Sequence, residues 1–171
     1  MKNDLQSELT NTKQDLLNTL NLFDQENINV VPFEDSWTGG QVAEHVLKSL
    51  SGCLQNITGP TKLTERNPAE HVKQLGEVFL NMNIKMKSPD FIIPSNDPKT
   101  KALLIKSLAE SLDGIKIVAG TEDLSATCTG FEMPMLGALT RVEWISFSLF
   151  HTQRHIHQLK NIANHLKTQT A

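Results

Sequence analysis

The chain has 171 residues, 39% of them hydrophobic and 20% charged, with a net charge of -3. That length suits one domain that buries a full core without disulfides, and the composition is that of an ordinary globular protein. The slightly negative balance gives no basis for nucleic-acid binding, which favours a clustered basic surface, and no apolar run is long enough to span a bilayer.

The opening MKNDLQSELT lacks the basic-then-apolar pattern of a signal peptide. The two cysteines, Cys53 and Cys128, form no CxxC pair and suit a reducing compartment. Residues 1–171 are therefore expected to form a single, soluble, cytoplasmic domain.

In chain order, Leu5, Leu9, Leu16, Leu20 and Phe23 recur at helical spacing and predict an amphipathic helix from about Asn3 to Phe23. Val30-Val31-Pro32 breaks any continuation. Thr38 and Gln41 have the spacing of a capping box and open a second helix. Val42, Val46, Ser49, Leu50, Cys53 and Ile57 form its stripe, and Gly59-Pro60 stops it. From Thr58 to Asp97 runs a long connection with a short helix near Ala69–Met82 and an extended path enforced by Pro89 and Pro94. A connection of that length is too long for a hairpin, so the helices on either side of it are expected to run parallel.

Asn96-Asp97-Pro98 reads as the start of the third helix, a capping side chain followed by proline at the first helical position. Leu104, Ile105, Leu108, Leu112 and Ile115 supply its face, and Gly120 ends it. An irregular loop with a strand-like piece at Ser125–Phe131 follows. Thr140 and Glu143 then make a second capping box for a final helix reaching Lys167, about 40 Å long. Four long helices joined by short, long and medium links predict an all-α four-helix bundle with one long crossover between helices 2 and 3.

The sharpest chemical feature is His151-Thr-Gln-Arg-His155. Residues four apart share one helix face, their Cβ atoms about 6 Å apart, so both imidazoles can reach one metal. Trp144, Ser148, Leu159, Ile162 and Leu166 fall in the same sector, which turns the pair toward the core. The alternative is a pair of core histidines that merely hydrogen-bond; two buried neutral imidazoles side by side still need donors or a metal. His45, at the edge of the second helix's stripe, is the third candidate, and its case rests on that pair across the bundle. His157 projects from the opposite side of the last helix, His165 lies over three turns beyond His151, and His71, in the crossover, has no helical partner.

Other architectures fail. Thr152 stands where a zincin needs glutamate, and no Glu-x-x-His repeat supports a di-iron site.

Taken in order, Trp37 and Glu44-His45 at the second helix, Pro134-x-Leu136-Gly137-x-Leu139-Thr140 before the last, then Glu143-Trp144 and His151-x-x-Arg154-His155-x-x-Gln158, the chain resembles the DinB/YfiT superfamily over nearly its whole length, the SPDFIIP segment included. The resemblance implies a four-helix bundle with a metal on three histidines, here His45, His151 and His155. It also brings in relatives that use low-molecular-weight thiols as cosubstrates, and others of unknown activity.

Three neutral imidazoles leave a divalent ion's charge uncompensated and a coordination position open, and zinc, nickel or iron suits such a set. The expected function is activation of a small thiol for attack on a small electrophile, since a thiol at such an ion is deprotonated. Metal-activated hydrolysis is the alternative, and a bundle that binds metal or a partner without turnover is a third reading. Around the site, Ser148 faces the pocket, and Trp37 either walls it or packs as a staple. Arg154 and Gln158 flank the metal face, able to contact a substrate carboxylate or orient a ligand; for Arg154 the alternative is a solvated surface position. Trp144, Ile145, Phe147, Leu149 and Phe150 surround the start of the last helix and need cover on both flanks. A homodimer supplies that cover, or the loop before the helix does.

Overall fold

The structure is a computed structural model and describes residues 2–169. Its helices are α1 (Lys2–Leu20), α2 (Gly39–Ile57), α3 (Val72–Phe79), α4 (Lys101–Thr121) and α5 (Arg141–Gln169). Two short strands, β1 (Thr61–Lys62) and β2 (Thr127–Cys128), pair antiparallel with Thr61 opposite Cys128. The fold is all-α, as expected, with four long helices in a bundle and the short α3 as a fifth.

Around the bundle, α1 and α2 each pack against both α4 and α5. The helices joined by the first connection are therefore diagonal partners, and that connection is longer than the sequence suggested. It crosses the end of the bundle, seating Phe23 on Gly39, where an added Cβ would lie 2.9 Å from the ring. Side-chain contacts fix the directions. Arg141 Nε donates to Ile57 O at 2.8 Å, which puts the start of α5 at the end of α2. Lys13 pairs with Asp113 at 2.6 Å and Gln6 Nε2 donates to Lys116 O, so α1 and α4 are antiparallel. Lys99 reaches Glu44 and lies over Gly40, so α2 and α4 start together and run parallel, as the crossover length implied. One apolar core runs through all four long helices, with Leu9, Leu16, Leu50, Leu108, Ile115, Ile145 and Leu159 fully enclosed.

Both capping boxes form. Gln41 N donates to Thr38 Oγ1 at 3.1 Å, and Thr38 N to Gln41 Oε1 at 3.0 Å. At α5, Thr140 N donates to Glu143 Oε2 at 2.9 Å, and Glu143 N to Thr140 Oγ1 at 3.3 Å. The start of α4 is a correction. The helix begins at Lys101, three residues beyond the expected proline position, and its cap residue Thr100 makes no side-chain cap. The first connection does the capping instead: Lys99 N donates to Asn29 Oδ1 at 2.7 Å and Lys101 N to Gln25 Oε1 at 2.8 Å. Tertiary acceptors have displaced the local signal.

Glu143 is fully buried and serves as an anchor as well as a cap. Its carboxylate accepts from Arg66 Nη1 and Nη2 at 2.7 and 2.6 Å, from His71 N at 2.9 Å and from Thr140 N. This ties the crossover onto the base of α5, and α3 lies along α5 beyond it. Phe79 meets Phe147 edge-on at 5.0 Å, Gly76 faces Phe150, and Phe131 lies 5.9 Å from Trp144. The apolar girdle of α5 is thus covered by its own chain, and it supplies no argument for a homodimer. Among the described residues no helix is long and apolar enough to cross a membrane.

Candidate metal centre

The capping box of α2 and the long run of α5 place three histidines opposite one another. His45 lies in the second turn of α2, while His151 and His155 lie on successive turns of α5 facing it. All three are buried, with exposures of 2%, 5% and 8%. Their ring centroids are 4.5 Å apart for His151–His155, 4.6 Å for His45–His155 and 5.0 Å for His45–His151.

The second nitrogens decide what the first can do. His45 Nδ1 donates to Ile92 O at 2.9 Å, and His155 Nδ1 donates to Gln158 Oε1 at 2.8 Å. Both therefore carry their proton on Nδ1 and present a bare Nε2. Each of those nitrogens lies 3.1 Å from His151 Nε2. His151 Nδ1, meanwhile, is buried with no partner among the described residues. A single proton on His151 satisfies one contact at most and leaves the ring's other side wanting. A cation among the three Nε2 atoms resolves the crowding of lone pairs. Two nitrogens bound to one zinc ion lie about 2.9–3.4 Å apart, and the 3.1 Å separations fall inside that span. The donor set fits: the three histidines can hold a metal ion, with one ligand atom from each within 4.8 Å of the others.

Electrostatics keeps the set in its ligating form. Burial, then the charges of His155, His45 and Arg154, holds His151 well below the ordinary histidine value. Burial and His45 push His155 down to about 3. His45 is lowered by burial against the opposing pull of the Ile92 carbonyl. The imidazoles are neutral at pH 7, as metal ligation requires.

The profile of the DinB superfamily matches residues 8–159, a span that contains all three histidines. This chain belongs to the DinB superfamily. A relative from Bacillus subtilis (strain 168), the uncharacterized protein YuaE, is 26% identical over 152 residues, 85% of this chain and 88% of its own. No solved structure gives a significant match.

Within this DinB-superfamily chain the four flanking residues separate. Trp37 lies 5.1 Å from the His45 ring and walls the cluster. Gln158 orients His155. Ser148 is buried one turn away and donates to Ile145 O of its own helix. Arg154 does not point at the cluster with a free head. Its guanidinium donates to Phe79 O, Asn81 O and Ile84 O, clamping the crossover beyond α3. It is neither a solvated surface residue nor a free substrate contact.

The sequence reading missed the Ile92 carbonyl, because side-chain patterns do not reveal a backbone acceptor brought in by the crossover. It also missed Phe79, 5.9 Å from His151; Phe147 stacks on the same ring at 5.3 Å. His71 donates its backbone N–H to Glu143, and His165 meets Phe33 at 5.5 Å.

Proposed function

We propose that this protein is a metal-dependent transferase. In this reading His45, His151 and His155 hold one divalent ion, zinc, nickel or iron, and a low-molecular-weight thiol is activated for attack on a small electrophile. The observation that carries it is the convergence of Nε2 atoms from three neutral histidines in a cluster that, among the described residues, holds no carboxylate. When bound, the ion supplies a double positive charge at an incompletely filled coordination shell, which favours thiolate over thiol.

The chain's own residues do the rest. Ile92 O and Gln158 Oε1 fix two of the rings. Trp37, Phe79 and Phe147 line the cluster with aromatic surface that excludes water. The carboxylates of Glu44 and Glu143 are engaged elsewhere, Glu44 with Lys99 at 2.6 Å and Glu143 with Arg66 at 2.6 Å, so neither stands free as a general base. A thiol brings its own acidic proton and needs none, whereas hydrolysis gains from a positioned base. A cytoplasmic location belongs to the same proposal, since small thiols stay reduced there.

The near-complete burial of all three rings favours a second reading, a bundle that binds metal without turnover. The deciding experiment measures metal content of the native protein and of His155→Ala, then transfer of a panel of small thiols to broad electrophiles. One equivalent of metal in the native protein, lost in the variant, together with metal-dependent thioether formation supports the transferase. Metal without turnover moves the second reading to first place, and ester or amide cleavage without thiol transfer replaces it with a hydrolase.

A further inference from the structure

The end of the crossover is fastened along one face of α2. Gln41 Nε2 donates to Ser95 O at 3.3 Å and to Asn96 Oδ1 at 3.2 Å. Glu44 Oε2 accepts from Ser95 N at 2.9 Å. His45 Nδ1 donates to Ile92 O at 2.9 Å, and Lys48 Nζ to Ile93 O at 2.7 Å. Positions 41, 44, 45 and 48 form a single helical stripe. Most of these bonds go to backbone groups, so the stripe holds the path of residues 92–96 whatever side chains they carry. Glu44 is itself held from behind by Lys99 at 2.6 Å, and Lys99 is 9% exposed. Its stem crosses Gly40, where an added Cβ would come within 2.8 Å of it.

One bond of the stripe belongs to a metal-ligand candidate. The Ile92 carbonyl sets the proton of His45 on Nδ1 and turns Nε2 toward His151. That carbonyl stays in place because the contacts at residues 93 and 95 hold the chain just beyond it. We infer that Glu44, braced by Lys99, is a positioning residue for the metal centre, and that docking of residues 92–96 on α2 and occupancy of the three histidines are coupled. The inference rests on the metal reading proposed above. Coupling between two such equilibria is reciprocal: an ion that needs His45 in this orientation tightens the strap, and a loosened strap weakens the ion. Loss of an outer partner of a metal-bound histidine typically lowers affinity about 10–100-fold.

The test uses the full chain and zinc alone. Zinc affinity is measured by competition with a chromophoric chelator for wild type, Glu44→Gln, Lys48→Met and a remote core control, Ile115→Val. Hydrogen exchange at the amides of Ile92, Ile93 and Ser95 is followed in wild type with and without zinc. The expected result is slower exchange at these amides when zinc is bound. Affinity should fall about tenfold or more in Glu44→Gln and Lys48→Met, and stay unchanged in Ile115→Val. Should Glu44→Gln fail to fold, Lys48→Met and the wild-type exchange comparison still decide. Variants that bind zinc as tightly as wild type, with exchange at the strap indifferent to zinc, overturn the coupling and leave the metal site standing. A wild type that binds no zinc, and no nickel or iron when the titration is repeated with each, overturns both.

Discussion

Two polar clusters are buried along α5, and they are provisioned in opposite ways. At its base, Glu143 accepts four hydrogen bonds from two chain segments. Two turns on, His151 sits between two bare nitrogens with its own Nδ1 unpartnered. A buried polar group whose valences are filled by the chain is there to hold the fold. One whose valences converge and stay unfilled is shaped for something the chain does not contain.

Acid separates the two most widely. The histidines have folded-state pKa values below the ordinary 6.5, so the unfolded chain takes up protons first and stability falls as pH drops below that value. Between pH 6.5 and 5 each histidine that stays neutral in the fold costs about 2 kcal/mol. His155, held at about 3, carries about 2 kcal/mol of that loss, and His151 adds to it in the same direction, read by urea unfolding of metal-free protein. For Glu143, burial alone raises the pKa, but hydrogen bonds from Arg66, Thr140 and His71 outweigh it and hold it low. Its contribution is present above 4.5 and is lost only as pH falls further. A metal-free protein equally stable at pH 7 and pH 5 would break the contrast.

Glu143→Ala is expected to cost about 3 kcal/mol, toward the lower end for a broken buried pair, because Arg66 is 28% exposed and regains some water. Zinc binding in that variant should persist while it remains folded. Next comes zinc itself: at a free concentration a hundredfold above its dissociation constant it should stabilise the native protein by about 2.7 kcal/mol, and His45→Ala by nothing. The smallest effect is a stabilising substitution. Replacing His151 by leucine removes an under-partnered polar ring, so metal-free His151→Leu should be more stable by about 1 kcal/mol while losing zinc altogether. A destabilised His151→Leu would mean that its contacts are satisfied after all.

Much of this was legible in the residues. Thr38 with Gln41, and Thr140 with Glu143, mark helix starts through bonds between near neighbours, and the i, i+4 spacing of His151 and His155 needs only a helix to bring them together. What depends on distant chain was not legible. The start of α4 moved because Gln25 and Asn29 cap it from another segment. Arg154 turned to carbonyls at the far end of α3, and Glu44 to an amide at the end of the crossover. His45 lay between these cases: its position on α2 was readable, but the carbonyl that orients it was not.

His45 and His151 stand 106 residues apart along the chain. During synthesis at about 5–20 residues per second, roughly 5–20 s separate the appearance of the first candidate ligand from that of the second. Throughout that interval His45 has no partner with which to retain an ion. In the proposed metal site, loading therefore follows completion of the last helix, and the ion acquired depends on which metals the finished bundle meets.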